Sequence, residues 1–240
     1  MPKLKVGHVE IGLPYPKGRA RRGAAAALFA GLALTSVAAP IGAQPPAPRA
    51  ENEAEASTAE DRLALLHFSR CVASRQATQA SALILADYRT SAYRDSLRRL
   101  TVPQHGCLPG GNGRLRFGGL LFAGDLAETL LPELAPRGSL AAHVTLNPAV
   151  APFRAHNQGE VMSVCVVRAA PADTEALLAT EQGSAEEGAA LRAIGPRIGP
   201  CLAAGAALRL NRPGLRAMLA LAAYRLVRHN AAAPAAAAGN

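Results

Sequence analysis

Apolar residues recur every three or four positions along most of the chain after residue 57, with polar residues between them. This spacing is typical of amphipathic helices. The predicted helices cover about 58–74, 76–86, 91–100, 120–131, 160–167, 171–181, 186–194 and 212–228. Glycine and proline separate them, and Pro132 is expected to end the helix that begins near Leu120. The pattern therefore predicts an all-α fold.

The four cysteines form two pairs with the same spacing. Cys71 and Cys107 are 36 positions apart, and so are Cys165 and Cys201. The predicted disulfides join the members of each pair. The equal spacing indicates that one unit was duplicated, and a bridge already present in that unit would be copied with it. Each bridge would stabilise the fold by roughly 3–4 kcal/mol in the chain-entropy model. A metal site is disfavoured, since the chain has no Cys-x-x-Cys motif and no histidine at zinc-finger spacing. No cofactor is predicted.

A tandem duplication explains the matched cysteines. A shift of 94 residues places the first pair on the second, and neighbouring residues match at the same shift. The predicted repeats are 58–135 and 158–230. Each is near the lower limit for a self-sufficient core, so the two are expected to pack as one compact domain with rough two-fold pseudo-symmetry. The last apolar helix of each repeat is the expected shared core.

Two segments are harder to assign. Residues 161–167 are rich in β-branched side chains, which favour a strand. A helix is preferred, because the matching segment around Cys71 has a helical pattern. Residues 136–157 contain Pro148 and Pro152 around a short apolar run, and are assigned only as a connector.

Residues 1–43 have the order of a secretory signal peptide. Three arginines at 19, 21 and 22 precede the uncharged apolar run 24–39, and small residues lead to a predicted cut after Ala43. A retained anchor is the alternative, but the run is shorter than the roughly 20 residues of a spanning helix. General secretion is favoured over the twin-arginine route, which Arg21-Arg22 leaves open. The protein is therefore predicted to be periplasmic or secreted, with no integral membrane segment after cleavage.

Alanine and proline dominate two further segments. Residues 44–57 are predicted to be a disordered linker, and residues 231–240 a disordered tail, because neither offers enough bulky apolar side chains to offset the entropy of ordering.

The net charge of the chain changes when the predicted signal peptide is removed. Six of the 26 basic residues and one of the 17 acidic residues lie in it, which leaves 20 arginines, 16 acidic residues and a net charge of +4. These arginines are dispersed and aromatic residues are few, a pattern unlike that of nucleic-acid-binding proteins. Solvated surface arginines explain the charge, with weak attraction to an anionic envelope surface as the alternative.

Catalytic motifs are missing from the sequence. The chain has no Gly-x-Ser-x-Gly elbow, the motif that carries a nucleophilic serine. No lysine follows the predicted signal peptide, so Schiff-base chemistry and the Walker lysine are excluded after residue 43. The favoured hypothesis is a non-enzymatic interaction or structural module of the periplasm or cell envelope, with another envelope protein as partner. The oligomeric state is left open.

The alternative is a binding protein for a small anionic ligand, or an unrecognised hydrolase, with its site at the seam between the repeats. Arginines that occur near this seam in both repeats are the candidate ligand-binding residues, because guanidinium groups hold anions by paired hydrogen bonds. They are Arg98, Arg116, Arg192 and Arg209.

Overall fold

The fold is seen in a computed structural model that describes residues 8–11, 59–102, 104–108, 115–145, 153–206, 208 and 210–231. The predicted linker 44–57 lies outside the described residues, as do residues 232–240 of the tail and most of the predicted signal peptide. The main-chain path of residues 8–11 and 105 is described, but not their side chains.

The described chain is mostly helical, as predicted. Its helices are α1 (Ala59–Arg75), α2 (Ala77–Leu85), α3 (Ser91–Thr101), α4 (Gly119–Leu134), α5 (Leu140–Val144), α6 (Gln158–Ala169), α7 (Pro171–Leu178), α8 (Ala185–Ile198) and α9 (Arg212–Ala231). Two short 3-10 turns, His105–Cys107 and Gly199–Cys201, follow α3 and α8. Two strands, β1 (His8–Ile11) and β2 (Leu115–Gly118), complete the described elements.

Polar caps set where several helices begin. Thr90 accepts a hydrogen bond from the Tyr93 amide at 3.1 Å and starts α3. Ser184 does the same for the Glu187 amide of α8. These side chains satisfy amide groups that have no partner within the first helical turn.

The segment around Cys165 is a helix, as preferred from the sequence. Asn157 caps α6 by accepting a hydrogen bond from the Glu160 amide at 2.9 Å. Met162, Val166 and Val167 are buried against the core. Burial of one helical face therefore overrides the strand preference of the β-branched residues.

Two helices run further than their prolines suggested. Pro132 does not end α4, which continues to Leu134, and Pro196 lies inside α8, which continues to Ile198. Pro132 sits in the last turn, where it removes one helical hydrogen bond, and the Ala135 amide still donates to the Leu131 carbonyl at 2.9 Å. The expected helix ends at 131 and 194 were therefore wrong. Helix α9 also includes Ala231, the first residue of the predicted tail.

Helices α4 and α9 form the most extensive contact between elements of the described chain. A Cβ atom added to Gly124 of α4 would lie 2.4 Å from the Ala217 Cβ of α9, so only glycine allows this approach. Both helices are buried along most of their length. They are the two apolar helices expected to form the shared core.

The other helices cover this pair. Helices α1 and α2 pack on α4, while α5 and α6 pack on α9. Beside α1, the rings of Phe68, Phe117 and Phe122 cluster with centroids 5.1 to 6.0 Å apart. Phe117 belongs to β2, so this cluster anchors the strand to the helical core. Helix α5 lies in the segment that the sequence left as a connector.

Both predicted disulfides are present. Cys71 of α1 bonds to Cys107, and Cys165 of α6 bonds to Cys201, with Cα–Cα distances of 5.5 and 5.6 Å. The first bridge ties α1 to the 3-10 turn after α3, and the second ties α6 to the 3-10 turn after α8. The sequence predicted this connection.

Strand β1 lies inside the predicted signal peptide and pairs with β2. The two strands are antiparallel, with Val9 opposite Phe117 and Glu10 opposite Arg116. The sequence analysis predicted neither strand. Among the described helices, none combines the length and the apolar character that crossing a bilayer requires.

We predict that Gly124→Ala lowers the free energy of unfolding by about 1–3 kcal/mol, because the new methyl group meets the backbone of α9. Denaturant unfolding under oxidising conditions measures the change. Gly188→Ala is the matched control: it lies inside α8, and its added Cβ would have only arginine side-chain ends at 3.6 Å. Equal effects of the two substitutions would contradict the close approach of α4 and α9.

Candidate functional site

Arg216 is the most conspicuous polar residue of the interior. It lies on α9 with only 1% of its surface exposed. Its Nε and Nη2 atoms donate to the two carboxylate oxygens of Glu128, both at 2.8 Å, and Nη1 donates to Glu187 at 3.1 Å. Thr180 accepts further hydrogen bonds through its hydroxyl and its carbonyl. Arg216 therefore connects α9 with α4, α8 and the turn after α7.

The turn between α7 and α8 positions the partners of Arg216. Gly183 has a φ of 84°, a left-handed conformation that glycine adopts without strain. Its amide donates to one oxygen of Glu187 at 2.8 Å, which leaves the other oxygen for Arg216. One carboxylate thus closes the turn and also balances the buried guanidinium.

A second buried group adjoins this ion pair. Gln182 donates to Asp125 at 3.0 Å and accepts from Arg62 at 2.8 Å. Ser69 lies 3.4 Å from the other oxygen of Asp125. Within the described chain, the Nε and Nη1 atoms of Arg62 are buried without a hydrogen-bond partner. We refer to Arg62, Asp125, Glu128, Gln182, Glu187 and Arg216 as the buried polar cluster.

Burial controls the ionisation of Asp125. Loss of solvent raises the pKa of this carboxyl from 3.8 to about 6, and the negative charge of Glu128 acts in the same direction. The hydrogen bond from Gln182 and the charge of Arg62 oppose the rise without cancelling it. For Arg216, burial disfavours the charged form, but Glu128 and Glu187 outweigh it and raise the pKa above its ordinary value. Asp125 therefore titrates in the mildly acidic range.

A smaller polar group joins α2, α6 and α9 near the surface. Arg225 donates to the Ile84 carbonyl at 2.7 Å and to Glu160 at 2.8 Å. The other oxygen of Glu160 accepts from the His156 amide at 2.7 Å. Asn157 also donates to the Tyr88 hydroxyl at 2.6 Å. These contacts close helix ends and hold the elements together.

An open cleft of about 450 Å³ lies between α2, α4 and α9. Its walls are largely apolar and include Leu85, Leu130 and Leu134. The charged residues Glu133 and Arg228 also line it. We call it the apolar cleft, and its shape suits an apolar side chain or helix face better than a strongly polar ligand.

A second cleft of about 280 Å³ lies between α1, α4, α5 and α7. Arg70 and Arg137 line it together with Glu128 and Glu175. Both arginines are exposed, whereas Glu128 is engaged by the buried Arg216. We call it the arginine cleft.

The predicted ligand-binding arginines that the structure describes lie on three different elements. Arg98 is exposed on α3 and pairs with Asp95 of the same helix at 3.4 Å. Arg116 lies on β2 and Arg192 is exposed on α8. Arg209 lies outside the described residues.

The sequence analysis missed Arg216, although a signal was present. Two arginines, Arg216 and Arg225, stand inside the run Leu215 to Leu226, where the other ten residues are apolar or aromatic. The candidate arginines are those that occur in both predicted repeats, and Arg216 is not one of them. The three-residue spacing of Asp125 and Glu128 predicts a solvated helix face, and this prediction is wrong for Asp125, which is only 5% exposed.

Comparison of the chain with protein-family models, curated proteins and solved structures finds no significant match. In the part of the chain that the structure describes, no group of three or more histidine, cysteine, aspartate or glutamate side chains could hold a metal ion. Functional inference therefore depends on the disulfides, the buried polar cluster and the two clefts.

We predict that Asp125→Asn removes a pH dependence of stability. The folded-state pKa of about 6 exceeds the unfolded value, so folding favours the protonated carboxyl. The stabilising contribution of Asp125 to the free energy of unfolding is therefore fully present below about pH 4 and is lost as the pH rises through about 6. This difference between the folded and unfolded pKa of Asp125 corresponds to about 3 kcal/mol in the free energy of unfolding. Denaturant unfolding from pH 4 to pH 8 should show this decline in the wild type and a flatter profile in the variant. A constant difference between the two profiles would contradict the raised pKa.

We predict that Arg216→Met lowers the free energy of unfolding by about 3–5 kcal/mol, because Glu128 and Glu187 are left buried without their cation. Calorimetry or denaturant unfolding measures the loss. Adding Glu128→Met and Glu187→Gln to this variant should restore at least half of the stability. Arg212→Met, one turn earlier and exposed, is the control and should change stability little.

Proposed function

We propose that this is an exported, disulfide-stabilised helical protein that acts as a non-enzymatic interaction module of the periplasm or cell envelope. The observation that carries the proposal is the pair of disulfides, which join separate elements of the fold. Such bridges persist in oxidising compartments and are rare in the cytosol. The described part of the chain contains no free cysteine, which agrees with a chain that matures under oxidising conditions.

Export would proceed through cleavage of the predicted signal peptide 1–43. Strand β1 lies within that segment, so cleavage after Ala43 would remove the strand that pairs with β2. Phe117 would still anchor β2 through its contacts with Phe68 and Phe122. The proposal therefore requires that the helical fold be complete without β1.

The duplication is part of the same proposal. Three helices and a disulfide-linked 3-10 turn occur in each half, with α4 closing the first half and α9 the second. Such an arrangement is what two copies of one stapled unit would produce. The packing of α4 on α9 supports a shared core, since each half alone is small for independent stability.

The apolar cleft is the proposed contact surface, and the proposed occupant is an amphipathic helix of another envelope protein. Grooves between helices commonly receive the apolar face of such a helix. Leu85 lines the cleft together with Leu130 and Leu134, and 45% of its surface is exposed, so it offers apolar area that a partner helix would cover. Glu133 and Arg228 carry opposite charges and would match a partner helix with charges of both signs beside its apolar face.

Binding of a small anionic ligand is the second candidate function. The observation that favours it is the presence of two exposed arginines, Arg70 and Arg137, in one cleft. Arg98, Arg116, Arg192 and Arg209 stay predicted ligand-binding residues of this second candidate.

Site-specific photo-cross-linking in the native host tests the interaction. A photoreactive residue at Leu85 should give a cross-linked product with an envelope protein, and Glu133→Arg should reduce that product because it reverses a charge at the cleft. Val161 is the matched control, since it is an apolar helix residue with the same 45% exposure but lies outside the cleft. Equal products from the two positions would contradict the proposed surface.

Peptide mapping of the purified protein without reduction tests export. The expected result is a mature amino terminus at residue 44 together with the two disulfides. Free thiols, or recovery of the intact chain from the cytoplasm alone, would contradict the proposed location. Since cross-linking and peptide mapping are separate experiments, failure of one does not decide the other.

A further inference from the structure

We infer that the arginine cleft is a binding site for a small organic carboxylate with an apolar body. This inference concerns a surface other than the proposed contact with a partner protein, and it does not require export. Its basis is the combination of two guanidinium groups without a hydrogen bond in the described chain, one carboxylate held by Arg216, and an apolar wall.

The guanidinium groups of Arg70 and Arg137 are available to a ligand. Neither has a hydrogen bond or an ion pair within the described residues. This differs from Arg216 and Arg225, whose guanidinium groups are held by carboxylates. A planar guanidinium binds a carboxylate through two parallel hydrogen bonds, so two such groups at one cleft are suited to this anion.

The acidic residues of the cleft do not cancel this charge. Both oxygens of Glu128 accept hydrogen bonds from Arg216, which also pairs with Glu187, so Glu128 is engaged from inside the protein. Glu175 accepts a hydrogen bond from the Gly138 amide and has no ion pair within the described residues. Among the charged lining residues that Arg216 does not engage, two arginines and one glutamate leave an excess of one positive charge, which matches a monoanion better than a dianion.

Apolar side chains form the rest of the cleft. Leu131 and Pro132 of α4, Leu140 of α5 and Leu178 of α7 line it. The volume of about 280 Å³ is at the small end of the range of ligand pockets in proteins. A compact ligand with a carboxylate at one end and an apolar ring or short chain at the other would use both parts of the surface.

Chemical-shift titration of the disulfide-bonded protein with benzoate tests the inference. Benzoate should bind saturably in the millimolar range at low salt and shift the amide signals of Leu131, Ala135 and Leu178. Benzyl alcohol has the same apolar ring without the charge, and it should bind at least about tenfold more weakly. Phenyl phosphate should bind no more tightly than benzoate, because its second charge would lie near Glu175.

Three variants separate binding from structure. Arg70→Gln combined with Arg137→Gln should weaken benzoate binding about tenfold or more without changing the thermal midpoint, since both side chains are exposed. Arg94→Gln, at an exposed position of α3 that does not line the cleft, should leave binding unchanged. Glu175→Gln should strengthen binding severalfold, because it removes the uncompensated negative charge while its amide oxygen still accepts from Gly138.

Each possible result bears on the inference. Signal shifts that do not saturate, equal binding of benzoate and benzyl alcohol, or benzoate affinity unaltered in the double arginine variant would overturn it. Tighter binding of phenyl phosphate than of benzoate would overturn the preference for a monoanion. Because no partner protein is present in the titration, failure here would leave the proposed interaction at the apolar cleft standing.

Discussion

The buried charge of Arg216 is the constraint on which the arrangement of this protein depends. An arginine side chain stays protonated in proteins, so its charge must be balanced where the side chain lies. Glu128 supplies that balance from α4, and Glu187 supplies it from α8. Helices α4 and α9 are therefore held in register by ionic contacts as well as by the close approach at Gly124. Apolar packing alone would tolerate more sliding between two smooth helices than this combination allows.

Much of the fold could be predicted from the sequence, because its signals are local. Helical spacing, with glycine and proline between the helices, gave the positions of most helices, and the matched cysteine spacing gave both disulfides. Prolines were less reliable, since Pro132 and Pro196 lie near helix ends where the loss of one hydrogen bond is tolerated. Helix α5 is only five residues long, too short to show a periodic pattern.

The buried polar cluster could not be predicted in the same way, because its members come from distant parts of the chain. Arg62 and Gln182 are separated by 120 positions, and Arg216 and Glu128 by 88. A helical pattern shows that Asp125 shares a face with Glu128 but not that α9 covers that face. An arginine inside an apolar helix was the one local sign of the cluster. It indicates a buried counter-ion without identifying which carboxylate provides it.

Charge balance inside the protein also determines the charge of its surface. The buried polar cluster contains two arginines and three carboxylates, so a single proton on Asp125 makes it neutral, in agreement with the raised pKa of that residue. Glu128 belongs to this cluster and also lines the arginine cleft. Without Arg216, the charges of Glu128 and Glu175 would cancel those of Arg70 and Arg137. Because Arg216 holds both oxygens of Glu128 from within, that carboxylate is not left to pair with Arg70 or Arg137, and a residue that no ligand can reach affects which ligands the surface can attract.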